Sequence, residues 1–134
     1  MSHRFGFQEA ENLIVIVFDG EIAAEEEVQA VLDVVGDDRM KPNSKILVDK
    51  TNAQMKVTPA DVRPQVELIR RNLEKFGKSR VANVVSRDHD YGMTRMLELT
   101  SQDELPHDFS VFRSIDAACE WLDLDPAAVE WPES

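Results

Sequence analysis

Cysteine is almost missing from this sequence, with one residue, Cys119, in 134. A lone thiol closes no internal disulfide, and its setting beside Ala117, Ala118 and Leu122 reads as a small apolar core filler in a reducing compartment. Asp116 and Glu120 nearby would raise its pKa, which disfavours a reactive thiolate. Long apolar runs are also missing. The longest, residues 13–18, is far too short for a bilayer, and no signal-like apolar region follows Met1-Ser2-His3-Arg4, so a cytoplasmic protein without stable membrane insertion is expected. Positive charge is scarce as well: 15 Lys and Arg stand against 26 Asp and Glu, a net charge of -11. That field repels phosphate backbones, which excludes nucleic acid as an expected partner. There is no linker, repeat or low-complexity tract, and the chain reads as one domain, residues 1–134, with residues 123–134 as a C-terminal tail. No CxxC, HExxH, Gly-x-Ser-x-Gly elbow or glycine-rich phosphate loop occurs, so no metal, cofactor or nucleophile is indicated and a non-enzymatic protein is expected.

What is present is an alternation of periods. Residues 4–8 place Phe5 and Phe7 on one face, and the polar Glu9-Ala10-Glu11-Asn12 turn leads into residues 13–18, apolar throughout as a strand buried on both faces is. Residues 23–35 carry Val28, Val31, Leu32 and Val35 at helical spacing, behind Glu25, Glu26 and Glu27 where the helix dipole favours anions. A second buried strand is expected over residues 45–49, followed by a loop over residues 50–57. Thr58-Pro59-Ala60-Asp61 then reads as a helix start, and Val62, Val66, Ile69, Leu73 and Phe76 as its buried stripe. Pro64 fits a cap at Asp61 better than one at Thr58, so that boundary stays open. Gly77 ends the helix. A strand over residues 80–85, a helix over 93–104, a strand over 108–112 and a helix over 114–122 complete the pattern.

The expected fold class is therefore α/β: a mixed sheet of about five strands, the first antiparallel, then four βα units with about four helices. If consecutive strands are neighbours, the helices share one face of the sheet. The other face would then need cover from elsewhere, which a homodimer would supply.

The order resembles the SpoIIAA-like group of bacterial domains, relatives of the STAS anti-sigma-factor antagonists and, in fold, of the CRAL-TRIO lipid carriers. The resemblance covers nearly the whole chain and is carried by Phe5-Gly6-Phe7 with residues 13–18, Phe18-Asp19-Gly20-Glu21-Ile22, Leu47-Val48-Asp49 and Thr58-Pro59-Ala60-Asp61-Val62. Two later phrases join them, Met93-Thr94-Arg95-Met96-Leu97-Glu98-Leu99 and the run from Val111 to Leu122. These are strand, cap and core phrases. They imply a fold and a binding or regulatory module without assigned activity, taking a protein partner or a small apolar or lipid-like ligand. The STAS pattern also implies a phosphoacceptor at the helix start. Thr58 holds that place here, though the glycine and paired hydroxyls of the family phrase are absent and helix capping accounts for a threonine there.

Ligands of open parallel sheets bind beyond the carboxyl ends of the strands. The residues leaving those strands are Asp19, Glu21, Asp49, Lys50, Arg87, Asp88, His89 and Asp90. Asp49, Arg87 and His89 are the candidate polar ligand contacts, and Met93 and Met96 the candidate wall of a flexible apolar pocket. The alternative is a Mg²⁺-dependent phosphoryl-transfer or hydrolytic site on the carboxylates of that rim. Caps, turns and helical core spacing explain most of the same residues.

Overall fold

The computed structural model describes residues 3–106 and 108–133. His107, read as part of a polar connector, lies outside them. Five strands form one sheet in the order β1-β2-β3-β4-β5. Strand β1 (His3–Gln8) runs antiparallel to β2 (Leu13–Ala23), with Phe5 opposite Ile16, through a tight turn that Asn12 closes in the left-handed conformation. The rest of the sheet, β3 (Lys45–Lys56), β4 (Arg80–Val85) and β5 (Asp108–Phe112), is parallel. The mixed sheet expected from the alternation is the one observed.

Strands β2 and β3 run well past the apolar segments that announced them. Beyond Val17 and Asp49 the pairing continues to Ala23 and Lys56, with one extra residue on β3: Val17 faces Asp49, then Asp19 faces Asn52. An extra residue in a strand reverses which side chains face which side. Hence Ile46, Val48 and Lys50 point to the same face as Ala53 and Met55 after the irregularity. The segment expected as a loop is a two-stranded ribbon. It extends beyond the end of β4, and its Ile22, Ala53 and Met55 are buried.

Helices α1 (Ala24–Val35), α2 (Val62–Arg71), α3 (Leu73–Phe76) and α4 (Asp88–Ser101) cover one face. Their core joins Ile14, Ile16, Ile46, Val48 and Val81 from the sheet to Ala30, Val34, Val62, Phe76 and Met93. One open helix boundary is decided and two helix limits differ from expectation, each for a local reason. A short 3-10 turn, Pro59–Asp61, follows Thr58, and α2 starts at Val62, so Pro64 falls harmlessly in the first turn. The helix expected to reach residue 76 is divided at Asn72, whose side-chain amide donates to the Leu68 carbonyl at 2.8 Å. Helix α4 begins at Asp88 instead of Met93, because Asp88 and Asp90 sit in its first turn, where the dipole favours carboxylates. Gly77, at φ +58°, turns the chain into β4; a Cβ there would meet Asn43 Oδ1 at 2.6 Å, so only glycine fits.

The last helix, α5 (Ile115–Trp121), lies on the opposite face. Helix α5 joins no two strands among the described residues, unlike the crossover helices α1, α2 and α4. Ala118, Cys119 and Leu122, with Val129 from the tail, bury Leu13, Val15, Val17, Leu47, Ala82 and Val84. The tail lies along β1, where Gln8 bonds Ala128 O and Glu130 N and Arg4 donates to Pro132 O at 3.2 Å. The face expected to need outside cover is covered by the chain itself, so that argument for a second copy falls away.

Candidate functional site

The polar rim does not assemble. Arg4 holds Asp19 in an ion pair, and Glu21 is exposed on the ribbon. Asp49 faces the α5 side and accepts from the Thr51 N–H at 3.0 Å and hydroxyl at 2.7 Å, a turn interaction. Asp88 is exposed and bonded by Arg113 at 2.9 Å, with the Arg113 guanidinium over the Tyr91 ring. Asp90 is fully buried: one carboxylate oxygen accepts from the Met55 N–H at 3.3 Å and the other has no partner among the described residues. It ties the ribbon to α4. Among the described residues no three His, Cys, Asp or Glu side chains come together to hold a metal ion. Arg87 and His89 are exposed; Arg87 is the extended residue just before α4, whereas His89 lies in the first turn of the helix and not in the loop expected.

The apolar half of the expectation divides. Met93 is buried and lines a small cleft with Met55, Val57, Thr94 and Leu97, whereas Met96 points outward and is 37% exposed. Leu97 takes the place assigned to Met96. Thr58 is exposed, and both its N–H (2.8 Å) and its hydroxyl (3.2 Å) donate to the Asp61 carboxylate, which ties the start of the 3-10 turn. Cys119 is buried in the second core; burial first, then Asp116 and Asp125, pushes its thiol up, so it stays protonated and inert.

The strongest chemical feature was not singled out from the sequence. Helix α2 packs along α4 but not along α1, and the space left over the sheet is a cavity of about 90 Å³. Its floor is Ile16, Phe18, Val48, Lys50, Val81 and Asn83, and Val31, Val34, Ile69, Phe76 and Leu97 wall it. Within this apolar lining sit four polar side chains. Lys50 and Glu27 form an ion pair, with their side chains only 6% and 8% exposed. Gln65 donates to the other Glu27 oxygen at 3.0 Å, which straps α2 to α1 across the cavity. The Lys50 ammonium also lies 5.4 Å from the centre of the Phe18 ring, within cation–π range. Asn83 is 3% exposed, and its side-chain nitrogen has no partner among the described residues. The smaller cleft beside Met93 shares Glu27, Lys50, Gln65 and Leu97 with the cavity.

Glu27 and Lys50 carried misleading labels in the sequence. Glu27 is the third of three acidic residues at a helix start, yet it falls on the stripe Glu27, Ala30, Val34 that is buried, while Leu32 of the expected stripe is 43% exposed. The true stripe is turned by about one position. Lys50 was assigned to a loop that is strand. Asn83 is one amide inside an otherwise apolar central strand, the one signal that local inspection offers.

No family model matches the chain, and no curated protein matches it. Among solved structures it resembles that of an uncharacterized DUF3478-family protein from Shewanella loihica PV-4, described as having a SpoIIAA-like fold. The two share a TM-score of 0.58 over 90% of this chain and 94% of that one. The fold is SpoIIAA-like. At 18% identity the likeness concerns the path of the chain alone, and the SpoIIAA-like framework accounts for the sheet order and the crossover helices, not for the polar group in the cavity.

Proposed function

We propose that this SpoIIAA-like chain is a non-catalytic binding module that takes a small, mainly apolar molecule into the cavity between the sheet and helices α1, α2 and α4. The observation that carries the reading is the apolar cavity itself, with a buried Lys50–Glu27 pair and an Asn83 amide nitrogen that has no partner among the described residues facing it. Small-molecule sites are concave, mostly apolar and furnished with a few placed polar groups. Interiors otherwise pack with few voids larger than a water. A volume of about 90 Å³ suits a molecule of a few heavy atoms. A catalytic reading lacks an equivalent observation, because the carboxylates of the strand ends are dispersed and individually bonded.

The test is a titration of the intact protein with small cyclic hydrocarbons and ketones, followed by methyl NMR. Saturable shifts are expected at Ala30, Val34, Ile69 and Leu97, with Ala118 and Leu122 on the opposite face unmoved. No saturable shift at millimolar concentration across the series would remove the reading.

A further inference from the structure

From the hydrogen-bonding inventory of the cavity, we infer that its ligand is a small neutral molecule with one hydrogen-bond acceptor, such as a short or cyclic ketone or amide. Asn83 and Lys50 are the donors that read its oxygen. The inference rests on the binding reading above and adds a ligand class to it.

Both carboxylate oxygens of Glu27 are occupied, one by Lys50 and the other by Gln65. Among the described residues, the fully buried atom of this lining that has no partner is a donor. The Asn83 nitrogen is buried and unpartnered, and among the described residues the ammonium of Lys50, which has three N–H groups, donates to Glu27 alone. Asn83 is paired across the sheet with Val48, two residues before Lys50 on the same face, so the donors stand on neighbouring strands and face one cavity. A buried donor without a partner is costly, and a ligand oxygen removes that cost on binding. A hydrocarbon leaves the amide unsatisfied.

Charge decides against an anionic ligand. The Lys50–Glu27 pair is already neutral, so a carboxylate entering beside it would be a buried charge without a counter-ion. The net charge of -11 opposes its approach as well. The remaining walls, among them Ile16, Val31, Ile69 and Phe76, ask for an apolar body.

Three probes of similar shape separate the possibilities: cyclopentanone, methylenecyclopentane and cyclopentanecarboxylate, titrated into the intact protein and into Asn83→Leu with methyl NMR as the readout. The wild-type protein is expected to bind cyclopentanone at least about tenfold more tightly than the carboxylate. Asn83→Leu is expected to weaken cyclopentanone by about fivefold relative to methylenecyclopentane. An unchanged ketone-to-hydrocarbon ratio in the variant, or a carboxylate that binds as tightly as the ketone, overturns the ligand class and leaves the cavity as a site. Failure of all three to bind removes the site itself. Should Asn83→Leu not fold, the ketone against carboxylate comparison in the wild-type protein decides alone.

Discussion

Lys50 and Glu27 show how much one residue's environment changes its meaning. In an exposed loop or a solvated helix turn each is unremarkable; buried together they form a pair whose partners depend on each other. Removing one member of a buried pair leaves an uncompensated charge at a cost of about 3–5 kcal/mol, whereas replacing both by apolar residues of similar size is close to neutral or stabilising. Urea denaturation of Lys50→Met, Glu27→Leu and the double variant is expected to show two strongly destabilised single variants and a double variant near or above wild type. Additive losses would mean that the two side chains do not form a unit. Asn83 belongs to the same scale: its amide nitrogen, without a partner among the described residues, costs stability in the empty protein, so Asn83→Leu is expected to raise the melting temperature measured by circular dichroism.

Two devices at the scale of elements position the cavity. The first is the ribbon of β2 and β3, where Lys50 faces inward with Ile46 and Val48 and the extra residue returns Ala53 and Met55 to the same face. Asp90 anchors that ribbon by accepting from Met55 N–H. Asp90→Ala orphans a buried N–H, at a cost of about 1–3 kcal/mol, and amide hydrogen exchange over residues 52–56 is expected to accelerate more than exchange in β4. The second device is the clamp between α2 and the turn after α4, where Arg63 and Arg70 both bond Glu104. Foremost the Arg63 hydrogen bond, with Arg70 helping, holds the Glu104 carboxyl down at about 2, against an ordinary 4.5. A carboxyl depressed in the folded state stabilises fully above its unfolded value and loses that contribution as pH falls through the folded one. Glu104→Gln is therefore expected to melt below wild type at pH 7, with the gap closing between pH 4.5 and 2 in thermal melts. A gap independent of pH would dismiss the clamp.

The whole molecule is a sheet with two unequal covers. Three crossover helices and the short α3 occupy one face, and α5 with the tail occupies the other. Leu122 is fully buried in the second cover. Leu122→Ala is expected to cost about 2–5 kcal/mol in urea midpoint experiments, and to leave the pattern of ligand-induced shifts on the cavity face unchanged. Light scattering at micromolar concentration decides the homodimer expected from the sequence; a monomeric mass removes it. No helix among the described residues is long and apolar enough to cross a membrane.

By itself the sequence determined the alternation of strands and helices, the antiparallel first strand, the turn into a helix at Thr58-Pro59-Ala60-Asp61, and the burial of Cys119. All of these follow from local periodicity and turn chemistry, which act over a few residues. Only the tertiary structure decided that α5 crosses to the other face, that Lys50 lies in a strand, and that Glu27, Gln65, Lys50 and Asn83 meet. Those four residues come from α1, α2, β3 and β4, separated by up to 56 positions. No local pattern links them. What brings them together is the register of β3 and β4 and the gap between two helices, and these are properties of the packed chain.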